Sequence, residues 1–344
     1  MTDHLGSACP IHAGNAGKSK SPLYARTTLL LLLPLLASVF LGCATIPRDT
    51  LSIEPSGVLE ADPQVYLRFS GAVLRDIMST VDEASLAAIS STYTSESKPE
   101  NRKKAQSPAE NRSMELATLE SVISRTRSFG AGIRDIGTKA PKTEAVLVGD
   151  FKPFSLKIAL AFDGNWLRTA EGGYSSVKYP IFVRPPEPGF IHVSTEKSKP
   201  SRSSGIKAYP ARFASLSQSD IFISANSLID IFSIPLPLEA SSIPVLAMVA
   251  AGTQIKSTAA MQSAGSDLRY TLEFHILMKD EASARVFRPV VRFLWVGAAN
   301  RLFGEGSNAA SLTPALEKDE YVIRGIEVTT TELRNLFFRG LSGF

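Results

Sequence analysis

Cysteine is close to absent from this sequence: Cys9 and Cys43 are the two in 344 residues. A chain cut before Cys43 would keep one, form no internal disulfide, and rest on its core alone. Histidine is as scarce, with only His192 and His275 beyond Cys43. A metal centre there would have to be built mostly from carboxylates, so no metal or cofactor is expected. Broad positive charge is missing too. Lys18, Lys20 and Arg26 against Asp3 give the first 42 residues +2 of the formal +4, which leaves +2 on the rest. That near balance offers no footprint for nucleic acid. Catalytic signatures are lacking: there is no G-x-S-x-G and no P-loop, and Gly304-Glu305-Gly306 lacks the third glycine of a dinucleotide loop. Ser175-x-x-Lys178 and Ser194-x-x-Lys197 match S-x-x-K spacing and Ser224-Ala225-Asn226 matches S-x-N, but the companion K-[ST]-G is absent. An enzyme is not expected; were it one, carboxylates such as Asp163 or Glu273 would be the candidates.

The first feature present is a leader. Leu29 to Leu41 reads LLLLLPLLASVFL, thirteen residues with Arg26 just upstream and no acidic residue between Asp3 and Asp49. A spanning helix needs about 20 apolar residues, so this shorter, proline-bearing run reads as a signal peptide. An uncleaved signal anchor beside a bystander cysteine is the alternative. The lead before the run is long for a signal peptide and suggests a translation start after Met1.

Phe40-Leu41-Gly42-Cys43 resembles the lipobox of bacterial lipoproteins, with Gly42 and Cys43 on the pattern. Phe40 and Leu41 depart from its commonest form and are similar to the looser boxes of spirochaete lipoproteins. The resemblance implies cleavage between Gly42 and Cys43 and acylation of Cys43, whose chains would hold the protein to membrane lipid at about 0.8 kcal/mol per buried CH₂. It also implies the periplasmic side of the cell envelope. Ala44 in place of an aspartate favours the outer membrane over the inner.

Beyond the leader, the composition of 43–61 reads as a flexible tether, and 95–113 as a disordered loop whose Arg102-Lys103-Lys104 is diluted by glutamates. Residues 62–197 and 215–344 read as two α+β modules joined by a linker at 198–214. Each is expected to be a mainly antiparallel sheet packed with helices. The modules look related: Phe69 to Met78 aligns without gaps on Ile223 to Phe232 with four identities in ten. In the first module Val65 to Phe69 reads as a strand and Ser70 as the cap of a helix. Ser155 to Phe162 alternates and reads as a strand, and Phe190 to Thr195 pairs with Ile181 to Arg184 around a proline-rich turn. In the second, Ile243 to Ala251, Leu268 to Met278 and Tyr321 to Thr329 read as strands, Asp280 caps a helix to Phe303 that Pro289 should kink or delay, and Thr329 with Glu332 forms a capping box.

One helix has a functional flavour. Arg285, Arg288 and Arg292 share a face of the stretch from Glu281 to Phe303, among Phe287, Trp295 and other apolar residues, which is the pattern of a membrane-contact helix. A helix packed on a sheet with its arginines in water has the same pattern. The expectation is therefore an envelope lipoprotein that is a non-enzymatic binding or structural component, its partners membrane lipid through Cys43 and an envelope protein. The rivals are a carrier of lipid or small molecules with an apolar cavity, and a protein acting on membranes through an amphipathic helix.

Overall fold

The computed structural model describes residues 52–81, 119–136, 138, 141–177, 179–197, 207–226, 244–255, 268–304 and 307–342, with the backbone course alone for 337–342. Cys43, Gly42, the loop at 95–113 and the aligned stretch 227–232 lie outside the described residues. The fold is α+β. Twelve strands form one sheet: β1 (Val65–Ser70), β2 (Thr126–Arg134), β3 (Lys142–Gly149), β4 (Trp166–Arg168), β5 (Tyr174–Ser176), β6 (Phe182–Val183), β7 (Phe190–Ser194), β8 (Ile221–Ala225), β9 (Val245–Gln254), β10 (Arg269–Met278), β11 (Ala315–Glu317) and β12 (Glu320–Thr329). Five helices are α1 (Gly71–Ser79), α2 (Pro153–Phe162), α3 (Glu281–Phe303), α4 (Asn308–Ser311) and α5 (Thr330–Ser342). Another helical segment covers 119–125.

The spatial order is β11-β12-β10-β9-β8-β1-β2-β3-β7-β6-β5-β4, antiparallel at every junction. The two modules therefore do not own separate sheets, because β1 and β8 are hydrogen-bonded neighbours, with Arg68 opposite Phe222. From that seam each half runs outward along the same path. The order is β1-β2-β3-β7 on one side and β8-β9-β10-β12 on the other, with α2 joining the third strand toward the fourth in the first half and α3 in the second. Phe69 and Ile223, matched in the sequence alignment, both pack into the core beneath the helices.

Local signals set several boundaries. The Ser70 hydroxyl accepts from the Val73 N–H at 3.4 Å and starts α1, and Asp280 Oδ1 accepts from the Ser283 N–H at 2.7 Å and starts α3. The Thr329 N–H donates to Glu332 Oε2 at 2.7 Å while Thr329 Oγ1 accepts from the Glu332 N–H at 3.2 Å, closing the capping box. Pro289 lies inside a helix that continues unbroken from Glu281 to Phe303.

The segment from Ser155 to Phe162 is helical and not a strand. Pro153 stands in its first turn, where a missing N–H costs nothing. Leu156 and Leu160 turn inward while Phe154, Ile158 and Phe162 turn outward, so both faces are apolar and the helical contrast in the sequence disappears.

The sheet has a helix face and a strap face. On the helix face, Phe69, Ile221, Tyr270, Ile276, Tyr321 and Ile323 meet α1, α3 and α5. On the strap face, Tyr66, Val146, Phe222 and Val249 are covered by two stretches with little regular structure, 52–64 and 207–219. These overturn two expectations. The end of the tether is packed, since Pro55 and Leu59 are buried, and the end of the linker is packed through Ala208 and Phe213. Glycines make the room: a Cβ at Gly130 would meet Pro55 Cβ at 2.4 Å, and one at Gly132 would meet Leu59 Cδ1 at 3.2 Å.

Candidate membrane-contact surface

The predicted contact helix is α3, and its residues divide between two sides. Trp295 is 2% exposed, donates from Nε1 to the Ala309 carbonyl at 3.0 Å and packs on Phe274 with ring centroids 5.2 Å apart. It is a core residue and cannot touch lipid, which corrects the expectation. Phe287 is half-buried against the same core. Arg285, Arg288 and Arg292 are exposed as expected, Arg285 in an ion pair with Glu281 one turn earlier. Arg288 and Arg292 have no ion-pair partner among the described residues.

The outer face of α3 is apolar, but through residues other than the Phe287 and Trp295 that the sequence reading singled out. Val286 is 74% exposed and Phe293 68%, with exposed Pro289 and Val296 completing a row at spacings of three and four. The three arginines lie together along one border of that row, as a turn of 100° per residue requires.

The second exposed surface was missed altogether. On α2, Phe154, Ile158 and Phe162 form an outward row at i, i+4 and i+8, and Phe162 is 86% exposed. Leu167 on β4 is exposed beside it. The signal that would have found this row is Pro153, a helix-start residue that argues against reading the alternation as a strand. Both rows lie on the helix side of the sheet, because the inner faces of α2 and α3 pack on residues from that side, such as Leu147 and Ile191 for α2 and Phe274 and Ile323 for α3.

None of the described helices is long and apolar enough to cross a membrane. An open depression of about 570 Å³ sits where α1 leaves β1, lined by Arg75, Arg125 and Arg127 as well as Asp150 and Asp220. Its polar walls do not meet the need of an apolar carrier. Of the enzyme candidates, Asp163 caps its own turn by accepting from the Asn165 N–H at 3.0 Å, and Glu273 faces His275 and Arg324.

Both histidines are buried on the strap face. His275 Nδ1 bonds Glu320, which also accepts from Arg212 of the second strap at 2.9 Å, and Phe213 of that strap packs on the imidazole. His192 Nε2 stands 3.7 Å from Glu144 Oε2, an ion-pair distance too long for a hydrogen bond. Glu144 also accepts from Arg134 and from the Glu60 N–H of the first strap, each at 2.7 Å. Burial pushes the Glu144 carboxyl up; His192, the Glu60 N–H and Arg134 outweigh it and hold the group below the usual range. These clusters pin the straps to the sheet.

No family model and no curated protein matches the sequence. Solved structures of TP0453, a Treponema protein, are similar to it. Crystal form I has 16% identity and a TM-score of 0.48, covering 84% of this chain and 98% of that one. Form IV has 14% and 0.48, over 83% and 97%. Form III has 15% and 0.49, over 83% and 98%. At such identities and with TM-scores below 0.5, the likeness establishes neither a common fold nor a common role.

Proposed function

We propose that the protein is an exported lipoprotein, acylated at Cys43 and held on the periplasmic side of the cell envelope, that acts as a non-enzymatic component by pressing the helix side of its sheet onto a lipid surface. The observation that carries this reading is the outward row Phe154, Ile158 and Phe162, which no described part of the chain covers. Exposed apolar rows of this kind mark interaction surfaces. Burying what is still exposed of the three, 60%, 40% and 86%, supplies roughly 3–6 kcal/mol at about 1.5–3 kcal/mol per fully buried side chain. The lipobox-like sequence makes a bilayer the partner nearest at hand. Eight residues lie between Cys43 and Ser52, so an acylated Cys43 holds the folded part within roughly 30 Å of its anchor.

Reconstitution of the full chain in vesicles tests the reading. A Phe162→Trp chain should be quenched by bromine-substituted acyl chains more than the parent, and Phe154→Ser with Ile158→Ser should remove that excess. Emission from position 162 that ignores the brominated lipid overturns the contact. A Cys43→Ser chain that still takes up labelled palmitate overturns the anchor.

A further inference from the structure

We infer that α3 gives this contact a preference for anionic lipid headgroups, with Arg288 and Arg292 as the residues that read the charge. The inference rests on the proposed lipid contact and specifies the chemistry of its surface.

The argument begins with composition. The helix from Glu281 to Phe303 holds four arginines and one glutamate, and that glutamate is paired with Arg285. Arg288 and Arg292, four residues apart, therefore present two charges on one flank that no described carboxylate neutralises. Beside them run Val286, Pro289, Phe293 and Val296. A helix lying in the interface buries its apolar row at the acyl boundary and places flanking guanidinium groups at the depth of the phosphates. Guanidinium forks bind phosphate oxygens in pairs. A neutral protein surface would leave both charges without a counter-ion, so charge complementarity selects an anionic membrane as the occupant of this face.

The outward row of α2 differs in that it needs no such partner. Its one charged residue is Lys157, and its row holds two phenylalanines to the single one on α3. Contact at α2 should then depend on headgroup charge less than contact at α3 does.

The full chain in vesicles separates the two. Phe293→Trp reports on α3 and Phe162→Trp on α2, in phosphatidylcholine alone and with about one third phosphatidylglycerol. Bromolipid quenching at 293 should appear with the anionic lipid, fall as salt is raised, and be lost in Arg288→Gln/Arg292→Gln. A basic residue near an anionic surface is worth on the order of fivefold in binding, so the pair should shift the equilibrium on the order of 30-fold. Arg288→Lys/Arg292→Lys should keep most of it, showing that charge and not helix packing is read. Equal quenching at 293 in both vesicles, or loss in the lysine variant as deep as in the glutamine variant, overturns the preference. Quenching at 162 without any at 293 overturns it too and leaves the lipid contact standing. Silence at both positions overturns the two together.

Discussion

Helices α2 and α3 occupy the same place in the two halves of one sheet, each leading from the third strand toward the fourth on the same side, yet they solve the problem of an outer face differently. The shorter helix buries little and exposes three large apolar side chains with a single lysine. The longer one buries Trp295, Val291 and Leu294 firmly and borders a four-residue apolar row with arginines. Equivalent position in a topology therefore fixes which side of a helix meets the sheet but leaves the other side to the sequence. An inner face is judged by packing and an outer face by what it meets.

The sharpest way to break the comparison is on the inner faces. Trp295→Ala should cost about 3–5 kcal/mol in urea unfolding, since it empties a filled core site and frees the Ala309 carbonyl. Leu160→Ala on α2 should cost about 2 kcal/mol, the low end for a buried leucine, because that helix packs so little. Equal losses at the two sites would mean that the helices are held alike.

The close approach at the end of β1 gives the next effect. A Cβ at Gly71 would meet the Thr126 carbonyl oxygen at 2.1 Å, whereas the aligned position in the other half is already Ala225. Gly71→Ala should destabilise by roughly 1–3 kcal/mol through overpacking; a neutral result shows that 125–126 can give way. Smaller again is the acid response of the first strap. Because the folded state holds the Glu144 carboxyl below its ordinary value, its contribution is full above that value, about 4.3, and is lost as pH falls through the lowered one. Glu144→Gln should flatten this acid limb of the stability curve, and an unchanged slope would place the proton uptake elsewhere. On the outer faces, Phe162→Ser and Phe293→Ser should move stability by no more than about 0.5 kcal/mol. A large loss in either would mean that the side chain packs within the protein and is no lipid contact.

Much of the fold was legible in short windows. Ser70, Asp280 and Thr329 with Glu332 mark helix starts because capping is a bond between neighbours in sequence, and the alternation through Tyr270, Leu272 and Phe274 marks β10 because that side of the strand packs into the core. Alternation failed at Ser155 to Phe162 for a definite reason: a helix apolar on both faces carries no contrast to read. The straps were illegible because glycines on another strand make the pockets for Pro55 and Leu59. At the candidate site, the arginines and the apolar character of α3 were found, but which of its apolar residues face outward was not, since hydropathy counts Phe293 and Trp295 alike.

By itself the sequence determined the leader-like run ending at Cys43, the cap residues and the strand periods, all of which depend on residues close together along the chain. Only the tertiary structure decided that two modules share one sheet, that the tether and linker ends close its far side, and that Trp295 is sealed while Phe162 stands in the open. Burial is a property of what approaches from elsewhere in the chain, and an apolar side chain carries no mark of whether anything will.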